Sequence, residues 1–327
     1  NFGKDEETAT GYAEDVVKRR ASDIDRMYRW VWEHETDGYT TAVTPEHADA
    51  YCRDLAMRDA SDAHKKNIQL SLKSLFDWMG VDWDPAITFT DSGGASQPRD
   101  YLTRDERKQV REAVLKWDST PAYAAMSPQQ RQRWKEYIAK RLGKPIGDVS
   151  PDDFDQIQGF KYTSLIHTAL DAGLRPIEVG RAKTYWVDTD NAVLRIPHEE
   201  SSKNEGNWVV SLRERTADML DQWLIERELY PMYDDSDQLW LTRNANPYSS
   251  SGLRPVMNKV LDLADIDENG RSLSFYAIRH SVGTYMAREE GLAAAQSQLR
   301  HNSIETTAKY DQAPIEDRRN ALDNMDG

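Results

Sequence analysis

Apolar residues recur every three to four positions through the first ninety residues of the chain. Val16, Val17, Ile24, Met27, Tyr28 and Val31 form one stripe and predict a long amphipathic helix from about residue 12. Thr44-Pro45-Glu46 is a cap with proline at the first helical position and predicts a second. Ile68, Leu72, Leu75, Phe76 and Met79 mark a third over 63–79, stopped by Gly80. Such short helices in series predict a small all-helical module over 1–89.

The stretch 90–99 (TDSGGASQPR) is small, polar and rich in Gly and Ser, the composition of a linker. After it, an extended strand is expected around Tyr101, then a helix opened by the capping box Thr103 to Glu106. Ser127-Pro128 and Ser150-Pro151 start two more helices, and an apolar helix over 160–172 ends at Gly173. Segments 184–187, 192–197 and 208–212 read as three short strands with tight turns. Further helices are expected over 212–229 and 252–264, with a strand edge at Leu239-Trp240-Leu241 between them. The fold class is therefore mainly α with a small antiparallel sheet, in a helical module followed by a mixed α+β domain over 100–327.

Composition changes this picture at three points. The net charge of −14, mostly from Asp and spread along the chain, argues against a generic nucleic-acid binder. The same spread suits either an ordinary acidic protein or one from a salt-saturated, haloarchaeal-type cytoplasm, where the Debye length shrinks to ~3 Å and repulsion from DNA is screened. A single cysteine, Cys52, excludes an internal disulfide and a cysteine-based zinc site, and its apolar neighbours predict a buried thiol. No apolar run reaches membrane-spanning length and no signal-peptide pattern opens the sequence, so a cytoplasmic protein with no membrane partner is expected. With its start at Asn-Phe-Gly rather than Met, the sequence is expected to be a fragment or a trimmed chain.

Candidate chemistry gathers at two places. Gly173-Leu174-Arg175-Pro176-Ile177-Glu178-Val179 follows a helix end, with a carboxylate three residues after an arginine. From Ser274, Phe275, Ile278, Val282 and Met286 form one helical stripe, and Tyr276 and Arg279 share a neighbouring face. Arg300-His301 come after a small-residue helix, and Asn302 or Ser303 starts another that delivers Tyr310. Asp265-x-Asp267-x-Asn269-Gly270 begins like a calcium loop, but its twelfth position is Tyr276 where a bidentate Glu is needed, so no metal is expected.

The ordered set resembles the tyrosine recombinases, whose signature runs G-L-R-x-x-E-L, then H-x-x-R-H, then L-G-H, then the tyrosine. Here the intervals are 22 residues from Arg279 to His301 and 9 from His301 to Tyr310. The resemblance implies that the first module is a core-binding domain and that 100–327 is catalytic, with a tail over 311–327. It also implies a catalytic set of Arg175, Lys203, Tyr276, Arg279, His301 and Tyr310, supported by Glu178 and His280. Lys203 enters on chain order and on hairpin context, in the loop between the second and third strands. Lys65, Lys66, Lys73, Arg243, Arg254 and Lys259 are candidate DNA contacts, or else solvated surface.

On that resemblance the two arginines and His301 would cradle a scissile phosphate, since guanidinium forks stay charged and match its oxygens. Tyr310 would attack to give a 3′-phosphotyrosyl ester, storing the bond energy so that no ATP, metal or other cofactor is needed. Lys203 would protonate the leaving 5′-oxygen. The partner is double-stranded DNA, with a tetramer expected on it and a monomer possible without it. The sequence departs from the family twice: Tyr276 stands where the first His of H-x-x-R-H belongs, and Arg300 replaces the Gly of L-G-H. A phenol is a poor base near neutrality, which leaves open the group that deprotonates Tyr310. His280 lies about 100° round the helix from Arg279 and is expected to be structural. The expected protein is an integrase of a haloarchaeal virus or mobile element. The rivals are a type IB topoisomerase, which relaxes DNA as a monomer, and a catalytically silent DNA-binding protein on the same scaffold.

Overall fold

The computed structural model describes residues 11, 14–90, 100–117, 120–200, 206–311 and 313–325. The chain divides into two compact units, Asn1–Gln97 and Pro98–Gly327. The linker predicted over 90–99 lies, apart from Thr90, outside the described residues.

The first unit is three helices: α1 (Glu14–His34), α2 (Pro45–Met57) and α3 (Asp62–Met79). The Thr44 side chain accepts from the His47 amide, and Gly80 ends α3 in the left-handed region at φ 69°. Met27 and Val31 meet Tyr51, Cys52, Leu55, Ile68, Leu72 and Phe76 in one core. Cys52 is fully buried, and that burial pushes its thiol up to about 11, as befits a packing residue. Lys65, expected on the surface as a DNA contact or a solvated residue, is instead buried: its ammonium donates to the Ala56 carbonyl at 3.0 Å, near the end of the preceding helix. Lys66 and Lys73 are exposed.

The second unit opens with α4 (Arg104–Val114), whose Thr103 and Glu106 form the expected capping box. The backbone around Tyr101 enters no strand; it is held by side-chain contacts described below. Then follow α5 (Pro128–Leu142), α6 (Pro151–Gln156), α7 (Lys161–Ala172) and α8 (Pro176–Arg181). Strands β1 (Val187–Asp188), β2 (Val193–Ile196) and β3 (Trp208–Ser211) pair antiparallel in that order, with Leu194 opposite both Val187 and Val210. Residues 184–186, expected as strand, form a 3-10 turn instead. Leu241 makes an isolated bridge to Pro247, not a strand. The unit continues with α9 (Glu214–Arg227), α10 (Leu253–Leu263), α11 (Phe275–Leu299), α12 (Ile304–Ala308) and α13 (Ile315–Met325).

Helix α7 organises this unit because it is buried on nearly every side and packs against α4, α9 and α11. Leu165, Ile166 and Leu170 are fully buried, and each such side chain contributes about 2 kcal/mol. Helix α11 is two pieces joined at Gly291, whose φ of 87° and ψ of 170° are not helical. The chain end folds back onto its own unit. The Ile315 amide donates to the Tyr101 hydroxyl at 2.9 Å, the Tyr285 hydroxyl to Glu316 at 2.9 Å, and Arg288 pairs with Asp317 at 3.0 Å. Among the described residues no helix is long and apolar enough to cross a membrane, and no cluster of three His, Cys, Asp or Glu could hold a metal ion.

Candidate active site

Three chain reversals bring the charged groups together. Gly173 ends α7 in the left-handed region at φ 56°, and a Cβ there would lie 2.6 Å from the Leu299 side chain. The chain can therefore turn directly against the end of α11. Arg175 follows in extended conformation, and Pro176 starts α8. Glu178, at the third position of α8, accepts from the Arg175 amide and from its guanidinium, both at 2.7 Å.

Arg279 projects from α11 and is 2 % exposed. Its guanidinium donates to the Gly173 and Leu299 carbonyls at 2.6 Å each, joining the ends of two helices, and to His301 Nε2 at 3.0 Å. A guanidinium only donates, so Nε2 carries the lone pair and Nδ1–H of His301 faces Thr307 Oγ1, 2.9 Å away. Tyr310 lies two residues beyond α12 and is 9 % exposed. Its ring stacks on His301 with centroids 5.8 Å apart, and its hydroxyl is 3.1 Å from His280 Nδ1. Room for the ring comes from Gly283, where a Cβ would sit 2.6 Å from Tyr310 Cδ1.

One residue outside the predicted set belongs at the centre. Arg300 ends α11 with φ 58° and ψ 51°, the backbone that glycine usually supplies. Its buried side chain donates to Glu178 at 2.7 Å and to the carbonyls of Ala172 and Gln298 at 2.8 and 2.7 Å. Three guanidiniums thus share the Glu178 carboxylate, with Arg279 the farthest at 4.0 Å. Burial alone would push that carboxyl up; the charges of Arg300, Arg175 and Arg279 outweigh burial and hold it down at about 2. Burial first, then Arg300 and Arg175, push the Arg279 group down to about 9, which leaves it charged at neutral pH. A cluster with this imbalance, three guanidiniums to one carboxylate, favours an anion.

Arg175, Glu178, Arg279, His301, Tyr310 and His280 are thus gathered in one place, joined through His301 between Arg279 and Tyr310. His280, expected to be structural, lies within hydrogen-bond distance of the Tyr310 hydroxyl. The angular argument placed His280 away from Arg279, whereas Tyr310 approaches from that other side. Tyr276 is 43 % exposed and stacks on His280 with centroids 6.0 Å apart. Lys203 lies outside the described residues. Arg243, Arg254 and Lys259 are exposed on the second unit. The signal that could have found Arg300 is the Gly of L-G-H, because any other residue there must adopt positive φ.

The family model described as the phage integrase family matches residues 151–315, just over half of the chain and the whole of this cluster. The chain belongs to the phage integrase family. Among curated proteins, it is 24% identical over 162 residues to tyrosine recombinase XerC 2 of Ralstonia nicotianae (strain ATCC BAA-1114 / GMI1000). That match spans 49% of this chain but only 45% of the relative. The fold is similar to that of XerH recombinase bound to a palindromic difH substrate after cleavage. There the TM-score is 0.59 at 18% identity, over 96% of this chain and 80% of that one. It is also similar to a lambda integrase dimer bound to a COC' core site, with a TM-score of 0.56 at 14% identity, over 93% and 90% of the two chains. A Tn1549 transposon integrase in complex with transposon right end DNA gives 0.54 at 14% identity, over 94% of each chain.

Proposed function

We propose that this phage integrase family member is a site-specific recombinase that cuts and rejoins double-stranded DNA through a 3′-phosphotyrosyl intermediate. The observation that carries the reading is His301, which bonds the Arg279 guanidinium and stacks on the Tyr310 ring at once. A phosphate held by the arginines is thereby brought beside the phenol that would attack it. Arg175 and Arg279 bind the non-bridging oxygens, and charge growing there in the transition state strengthens each contact, by about 3 kcal/mol for a donor of this kind. His301 gives a further hydrogen bond once the phosphate displaces Arg279 and the imidazole takes a second proton, on Nε2. Glu178 orients Arg175, and Lys203 protonates the leaving 5′-oxygen. Energy kept in the tyrosyl ester lets rejoining proceed without ATP or metal.

The helical first unit serves as the core-binding domain, and the recombining assembly is two pairs of subunits on two DNA sites. The acidic surface fits a high-salt cytoplasm and an element, viral or mobile, that integrates there. A duplex nicked beside the cut site tests the reading, because the cut fragment diffuses away and traps the covalent complex. Wild type is expected to become joined to DNA and Tyr310→Phe is not. Arg175→Ala is expected to abolish attack while DNA retention falls modestly. Equal loss of both would mean a binding role only, and relaxation of supercoils without strand exchange would mean a topoisomerase.

A further inference from the structure

Resting on the recombinase reading, we propose that His280 accepts the proton of Tyr310, a task the family pattern would give to position 276. The two side chains are both buried, His280 at 7 % and Tyr310 at 9 % exposure, and the Nδ1 to hydroxyl distance of 3.1 Å is that of a hydrogen bond ready for transfer.

The other candidates near the phenol are already engaged. His301 has its Nε2 on Arg279 and its Nδ1 on Thr307, and it meets Tyr310 ring to ring, with planes 14° apart. Glu178 is shared by three guanidiniums. Tyr276 lies one helical turn before His280 and stacks on its ring. An aromatic residue at 276 therefore backs the imidazole, where a histidine would compete with it for the proton. Gly283, on the next turn, lets the phenol come close enough to reach Nδ1.

The step balances within the groups assigned. The imidazole carries its resting proton on Nε2, and the Tyr310 O–H proton passes to Nδ1 as the phenolic oxygen bonds to phosphorus. The bond from phosphorus to the 5′-oxygen breaks, and that oxygen takes a proton from Lys203. Rejoining runs the same path backwards: the 5′-hydroxyl attacks, the phenolate leaves, and His280 returns the proton.

The test is single-turnover formation of the covalent complex on a nicked duplex by wild type, His280→Ala and His280→Gln, with DNA affinity and thermal melting measured alongside. Removing a proton acceptor is expected to slow the reaction by about 10²- to 10⁴-fold in both variants. DNA affinity should stay within about threefold. Glutamine can hold the hydroxyl but not take its proton, so it is expected to be as slow as alanine. Added imidazole should recover part of the His280→Ala rate and none of the His280→Gln rate. A substrate with sulfur at the leaving 5′ position, which needs no protonation to depart, should leave His280→Ala slow. His280→Gln reacting at the wild-type rate, or a slow His280→Ala that imidazole does not help, overturns the proposal. Wild type that forms no covalent complex overturns the recombinase reading itself, a different result from an active wild type matched by its variants.

Discussion

Arg300 and Glu178 stand 122 positions apart in the chain and meet in a buried ion pair of 2.7 Å, formed by a residue whose backbone sits at φ 58°. The unfavourable backbone and the buried pair have to be judged together. A left-handed non-glycine residue costs about 1–2 kcal/mol. Removing one member of a buried pair costs about 3–5 kcal/mol, because the other charge is left uncompensated.

Arg300→Gly removes both terms, and the pair dominates. Stability is expected to fall by about 2–3 kcal/mol in denaturant unfolding. Glu178 keeps Arg175, so the pocket persists but its first arginine loses a brace. Covalent-complex formation should drop about tenfold while DNA affinity changes little. A variant as stable as wild type would mean that the pair does no more than offset the backbone cost.

Gly283→Ala places a methyl group 2.6 Å from the Tyr310 ring and 2.8 Å from Leu299. A clash of that size costs about 1–3 kcal/mol, and the ring, near the chain end, is the part that yields. Covalent-complex formation should fall by more than tenfold with only a modest change in melting. Full activity in this variant would show that the phenol does not need the seat described for it.

Acid should weaken the second unit before any carboxylate in the site is protonated. Burial first, then the neighbouring Arg111 charge, pushes the His167 imidazole down to about 4, where it accepts from the Arg111 guanidinium and bonds the Arg111 carbonyl. A depressed folded value means this stabilisation is complete above the ordinary histidine range, near pH 6.5, and is lost as pH falls through about 4. The loss is on the order of 3 kcal/mol. Glu178, held at about 2, adds its own loss only below about pH 4.5. Urea unfolding from pH 7 to 4 should show the slope in wild type and a flatter one in His167→Gln. Equal slopes would remove His167 as the cause.

Local grammar in the sequence carried far into the fold. Thr44, Thr103, Ser127 and Gly80 cap the helices they were expected to cap, because a cap depends on neighbours within four residues. Short strands were less legible: 184–186 became a 3-10 turn, since pairing partners decide a strand and lie elsewhere in the chain. Lys65 was misplaced for a related reason, as its stem packs inward and only its ammonium finds a carbonyl. At the site, the resemblance to the tyrosine recombinase signature singled out Arg175, Arg279, His301 and Tyr310. It could not tell that Arg300 would turn inward, nor from which side Tyr310 would approach α11. Both depend on the turn at Gly173 and the fold of the last thirty residues.

The phenol of Tyr310 rests on Gly283 and His301 of its own chain. On the recombinase reading, a subunit with this arrangement would supply its own attacking oxygen, and copies gathered on one DNA site would all be armed at once. Whatever decides which strand is cut first would then act by granting or withholding the phosphate, not by handing over the tyrosine.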